Sequence, residues 1–186
     1  MMALLKRLGV VTVLMVLLVG GAPLSAQTQT ALAQTTQAQT LASLHTYHER
    51  PGQTTFRSRQ SFRDRADRAW QTVLFKRYDD TGLQGLYLRV VGFPGIANID
   101  PARPLQVSTG TTLQWQVQPA LDPQTPALPA NAAQYDIQAV FQTLSKSIPL
   151  ELSIPLQNAR TATVVIPTYG VREWRTLAQQ EAGRSE

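Results

Sequence analysis

The chain has 186 residues, is 43% hydrophobic and 16% charged, and carries a formal net charge of +5. That balance excludes a disordered chain and fits one domain with a substantial core. Cysteine is absent, which excludes disulfides, thiol nucleophiles, cysteine metal sites and the lipidated cysteine of a bacterial lipoprotein; the charge is too small to indicate nucleic acid.

The N-terminus has the three parts of a cleavable export signal. Lys6 and Arg7 give the positive start. Leu8 to Val19 is a hydrophobic run broken only by Gly9 and Thr12, and Gly20, Gly21 and Pro23 end it before Leu24-Ser25-Ala26. The run is shorter than the ~20 apolar residues of a spanning helix. Residues 1–26 therefore read as a signal peptide, with Ala31-Leu32-Ala33 as a second small-residue site. Cleavage after Ala26 leaves 160 residues at +3, because Lys6 and Arg7 depart and no acid does. Residues 27–40 are Gln, Thr and Ala with one Leu, the composition of a flexible spacer.

A single β-rich domain is expected over residues 41–178, followed by a polar tail over 179–186. Leu41, Leu44, His45 and His48 fall at i, i+3, i+4 and i+7, which predicts a short helix before Arg50-Pro51-Gly52. From Thr54 to Arg63 the pattern alternates: Phe56, Ser58, Gln60 and Phe62 face one way, Arg57, Arg59, Ser61 and Arg63 the other. Trp70 to Arg77 is apolar on both faces, as in a central strand. Asp79-Asp80-Thr81-Gly82 supplies turn residues, and Leu86 to Phe93 is the third strand of an antiparallel meander. Leu105–Ser108 and Thr112–Gln118 form a further hairpin around Gly110. Four prolines make residues 119–130 a stiff, extended loop.

Ile137, Val140, Phe141, Leu144 and Ile148 make one apolar stripe, which predicts a helix over 136–148 capped by Asp136 and ended by Pro149. Leu150–Leu156 and Ala162–Ile166 form a last hairpin, whose Pro155 argues for a sheet edge. Thr168 is expected to cap a terminal helix with Val171, Trp174 and Leu177 inward. The core should contain Trp70, Leu74, Phe75, Leu88, Val90, Phe141, Leu144 and Trp174. The fold class is α+β: mainly antiparallel sheet, a sandwich or half-open barrel, with one packed helix and a short C-terminal helix.

No motif compels a chemistry. There is no Gly-x-Ser-x-Gly elbow and no phosphate-cradling loop. His45 and His48 would share a helix face, yet no third zinc ligand accompanies them. Asp64, Asp67, Asp79, Asp80 and Asp100 fall in predicted turns, where aspartate serves backbone geometry. The expectation is a protein that is not an enzyme, with no catalytic, cofactor-binding or metal residue and no cofactor. Charge is the feature that stands out. Residues 50–77 hold Arg50, Arg57, Arg59, Arg63, Arg65, Arg68, Lys76 and Arg77 against Asp64 and Asp67. Arg57, Arg59, Arg63, Arg65 and Arg68 form a candidate docking surface for an acidic protein or an anionic membrane surface. Phe93 joins it, either exposed as an anchor or folded back onto the core. The competing reading is an ordinary solvated sheet face.

Several stretches carry a resemblance: Arg50-Pro51-Gly52-Gln53, Trp70-Gln71 with Phe75-Lys76-Arg77, Leu88-Arg89-Val90-Val91-Gly92-Phe93-Pro94-Gly95, Gln134-Tyr135-Asp136 and Glu173-Trp174. Together they resemble a family of cyanobacterial exported proteins known only as domain of unknown function 3122. The resemblance implies a periplasm or thylakoid lumen, and it carries no catalytic residue over. The expected function is a non-enzymatic exported accessory or binding protein, one that helps assemble or stabilise a membrane complex. The alternative is a small-ligand carrier with an apolar pocket inside a curled sheet.

Overall fold

The computed structural model describes residues 44–120 and 127–182. The expected signal peptide and the 27–40 spacer lie outside these residues, as do the middle of the proline-rich loop and the end of the tail.

Nine strands are described: β1 (Leu44–Arg50), β2 (Gln53–Arg63), β3 (Ala69–Asp79), β4 (Gly82–Gly92), β5 (Leu105–Ser108), β6 (Gln114–Val117), β7 (Ala132–Asp136), β8 (Leu150–Pro155) and β9 (Thr161–Ile166). Two helices join them, α1 (Gln138–Thr143) and α2 (Thr168–Ala178). The strands make a five-stranded sheet in the order β1-β2-β3-β4-β7 and a four-stranded sheet in the order β6-β5-β8-β9. Every pairing is antiparallel. Both sheets end in edge strands and neither closes into a barrel.

The alternation in β2 sets the layers. Ser58 pairs with Leu74, which pairs with Leu88, which pairs with Tyr135. Cross-strand partners share a face, so the even positions of β2, β3 and β4 form one inner surface. Ser58 is 0% exposed, as are Leu74, Leu88 and Tyr135. Leu105, Val107, Leu150, Leu152 and Ile154 of the smaller sheet belong to the same hydrophobic cluster. Val171, Trp174 and Leu177 of α2 join it, each fully buried. Packing is close at Gly92: a Cβ there would lie 2.7 Å from that of Ala97 and 3.1 Å from the Trp70 ring, so glycine lets these elements approach.

Polar groups on the inner face hold α2. Ser58 Oγ donates to Glu173 Oε1 in a buried bond. Lys76 Nζ donates to the carbonyls of Ala178 and Gln180, each at 2.8 Å, and Tyr78 Oη donates to Gln180 O at 3.0 Å. A cation on carbonyls that have no intrahelical partner complements the negative end of the helix dipole.

Five sequence expectations need correction. The segment predicted as a helix over 41–48 is strand β1 from Leu44 on, where the described residues begin. Its helical spacing covers barely two turns, too few to be stable alone, whereas the hairpin at Pro51-Gly52 offers it a full ladder on β2. The helix expected over 136–148 is shorter: Ala132–Asp136 is a strand on β4, and α1 ends where Leu144 turns extended. Phe141 is consequently half-buried, although Leu144 is buried. Asp136 does serve the start of α1, accepting from the Gln138 backbone N–H at 3.0 Å, although Ile137 occupies the cap position. Phe75 is 5% exposed but sits on the outer face, paired with Arg57 and Tyr87. Pro155 does not mark an edge, since β8 lies between β5 and β9. It is the last residue of β8, beyond the 151–153 segment that β5 pairs. Lastly, Pro167 rather than Thr168 precedes the first turn of α2, and no side chain caps it.

Candidate docking surface

The β2–β3 turn is built around Asp64. Its carboxylate accepts from the backbone N–H groups of Ala66 and Arg68, from Arg68 Nε at 2.7 Å and from Trp70 Nε1 at 3.0 Å. Burial alone would raise its pKa, but the Trp70, Arg68 and Ala66 donors outweigh burial and hold it below the ordinary aspartate value. The turn also joins the sheets, since Asp64 bridges to Val164 of β9 and the Arg65 N–H donates to Thr163 O.

This construction absorbs three of the candidate arginines. Arg68 forms an ion pair with buried Asp64. Arg65 reaches across to Glu151 at 2.7 Å. Arg63 donates to the Asp67 carbonyl and lies 3.3 Å from its carboxylate. Lys76, counted with the basic residues in sequence, points inward to α2.

Arg57 and Arg59 take a different environment, on the outer face of the five-stranded sheet. Arg57 lies in register with His45, Phe75, Tyr87 and Asp136; Arg59 with Val73, Arg89 and Gln134. Arg77 shares that face beside Thr55 and Gly85. Four arginines thus interleave with Tyr47, Phe75 and Tyr87. The Arg57 guanidinium lies 4.1 Å from the centroid of the Tyr47 ring, and those of Arg77 and Arg89 each lie 5.5 Å from the Phe75 ring. Phe75 and Tyr87 are 5.5 Å apart. Arg89 also donates to Gln134 Oε1 through Nε and Nη2. Arg59 is exposed and makes no ion pair among the described residues. Among the described side chains, the acids of this face are Asp79 and Asp136, which lie at its margins and accept from nearby turn groups. Both helices lie on the opposite face, where their contacts with Ser58, Lys76 and Leu86 are made.

Arg77 and Arg89 were not singled out from sequence as docking residues. The signal that finds them is register: three strands of equal length, each with an arginine at an outward position, stack those arginines only once the pairing is known.

Phe93 is 58% exposed and Ile96 is 56% exposed, on the turn that leaves β4. Gly92 pairs with Trp70 and Trp70 with Phe62, which places Phe93 past the end of the sheet rather than on the arginine face. His45 and His48, three apart along a strand, point to opposite sides. His45 stacks edge-on against Tyr47, and His48 Nδ1 is 3.4 Å from Thr54 Oγ1. No group of three or more potential ligands gathers for a metal among the described residues. A cleft of about 1180 Å³ opens beside the β1–β2 and β3–β4 turns, lined by His48, Arg50, Tyr78, Asp79, Asp80 and Glu181 among others. No helix among the described residues is long and apolar enough to cross a membrane.

No curated protein and no solved structure matches the chain. Residues 42–177, the span from just before β1 almost to the end of α2, match the family described as protein of unknown function DUF3122, and the chain belongs to that family.

Proposed function

We propose that this is an exported, non-enzymatic accessory or binding protein of the periplasm or thylakoid lumen, which docks on an anionic partner through the outer face of its five-stranded sheet. One observation carries the reading: Arg57, Arg59, Arg77 and Arg89 share a face on which the acids with described side chains, Asp79 and Asp136, lie at the margins. Arginine is suited to this role because its planar fork bonds carboxylate or phosphate oxygens in pairs and stacks on rings. A rigid sheet also loses less entropy on binding than a loop carrying the same groups. The inter-sheet space holds Trp70, Tyr135 and Trp174, each at most 1% exposed, which supports a surface function over a small-ligand carrier.

The test is flotation of the chain with native envelope membranes and with anionic liposomes, together with pull-down from the soluble envelope fraction, at low and high salt. Arginine-dependent association should weaken steeply between 0.1 M and 1 M salt, where the Debye length falls from ~10 Å to ~3 Å. Arg57→Ala/Arg59→Ala should lose it, while Arg63→Ala, whose partner is Asp67, should keep most of it. Binding that ignores salt, or that survives in the Arg57→Ala/Arg59→Ala variant, would refute the proposal.

A further inference from the structure

The arginine face is more specific than a basic patch. Resting on the docking reading above, we infer that its partner is an extended, acidic protein segment with carboxylates at alternate positions, laid along β2 across Arg57 and Arg59.

Three features of the face point there. The first is spacing. Arg57 and Arg59 are two residues apart on one strand, so their Cα atoms stand ~6.7 Å apart at a strand rise of ~3.3–3.4 Å per residue. An extended segment repeats its same-side residues at that interval. Glutamates or aspartates at its alternate positions therefore meet Arg57 and Arg59 in register, which a helix, or an extended segment with no two acids two residues apart, does not.

The second is preorganisation. The Arg57 guanidinium is held over the Tyr47 ring at 4.1 Å. A guanidinium seated over a ring loses rotational freedom and can still offer its edge N–H groups to a carboxylate in bidentate fashion. Arg89, two strands away in the row of Arg59, is fixed by Gln134 and extends the positive field across the sheet.

The third is what the face lacks. Leu83, Phe93, Ile96, Leu113, Val165 and Tyr169 are the exposed large hydrophobic residues among those described. None occupies the outer face of β2, β3 or β4 at the arginine rows. A lipid surface would gain charge contact there but no insertion, and stable attachment to a bilayer takes more than one such signal. A carboxylate segment needs only the paired hydrogen bonds the face offers.

The experiment titrates the full exported chain with a twelve-residue peptide of alternating Glu and Thr. A Glu-Glu-Thr-Thr repeat of the same length and composition, in which no two glutamates are two residues apart, serves as control, and phosphatidylglycerol vesicles form a separate arm. Binding is read by fluorescence anisotropy, and the arginine Nε–H resonances by NMR. The alternating peptide should bind more tightly than the control peptide and shift the Arg57 and Arg59 resonances. Arg57→Lys/Arg59→Lys keeps the charge but loses the paired geometry, so it should weaken the alternating peptide about tenfold and abolish the difference between the two peptides. Equal affinity for both peptides, or unchanged binding by the lysine variant, overturns the inference. Arginine-dependent capture by vesicles without peptide binding overturns it too, while leaving the docking reading standing. If neither peptides, vesicles nor envelope fractions bind, both fall.

Discussion

Lys76 separates a structural cation from the docking arginines, and replacing it by methionine tests that division. The residue is 8% exposed, and its ammonium donates to two backbone carbonyls at the end of α2, each at 2.8 Å. Methionine fills similar volume but leaves both carbonyls without a donor and removes the charge that complements the helix dipole. Hydrogen bonds from a charged donor contribute ~1.5–3 kcal/mol each, and not having to bury an ammonium offsets part of the loss, so the net cost should be about 2–3 kcal/mol. For a chain of this size, at roughly 3 °C per kcal/mol, Tm should fall by about 8 °C. Thermal unfolding followed by tryptophan fluorescence is the assay, since Trp174 lies on α2 and Trp70 on the strand it packs against. Arg59→Ala is the control; an exposed residue without a partner should change stability by no more than ~0.5 kcal/mol. A Lys76→Met chain that melts like wild type but loses salt-dependent docking would refute the assignment, because Lys76 would then belong to the binding face.

Asp64→Ala should cost about 1–3 kcal/mol, because it leaves the buried Trp70 Nε1 and two turn N–H groups without their acceptor, while Arg68, partly exposed, can turn to water; a denaturant midpoint equal to wild type would contradict this. The same carboxyl, held below its unfolded value of 3.8, binds its proton less readily in the folded chain than in the unfolded one. Its contribution is therefore full above pH ~4 and is lost as pH falls through the folded value; urea unfolding between pH 3 and pH 7 should show wild type losing stability at the acid end and Asp64→Ala losing less. Gly92→Ala should destabilise by ~1–3 kcal/mol, since its Cβ would press on Ala97 and the Trp70 ring, and a calorimetric Tm measures it. Tyr135 is the opposite case: burial, with Asp100, raises its pKa, and its hydroxyl has no hydrogen-bond partner among the described residues. Tyr135→Phe should leave Tm unchanged or raise it by up to a few degrees, and a marked fall would mean that the hydroxyl is bonded. The chain isolated from its native envelope should begin near Gln27, and an intact Met1 by mass spectrometry would count against export.

The amino-acid order by itself determined the strands that alternate and the helix that buries a stripe. β2 to β4 follow from period-2 patterning between turn residues, and Val171, Trp174 and Leu177 set the buried side of α2, because in both cases one face must leave water. It also determined that arginines crowd residues 57–68. Two of their ion pairs are local, at i, i+4, and tertiary structure decided the third. Arg63, Arg65 and Arg68 meet Asp67, Glu151 and Asp64; of these, Glu151 is 86 positions from its partner, a distance no local pattern spans. Lys76 turns inward because the end of α2, about a hundred residues on, needs a donor. Arg89 joins Arg59 because β3 sets their register. β1 and β7 are strands for a related reason: β1 reads as helix from its own sequence, β7 gives no strand signal between the 119–130 loop and the helix expected from Asp136, and the free edges of β2 and β4 supply the hydrogen bonds that decide otherwise. Local patterning fixes which residues turn from water, but ladders, ion pairs and caps are satisfied by whatever the fold brings alongside.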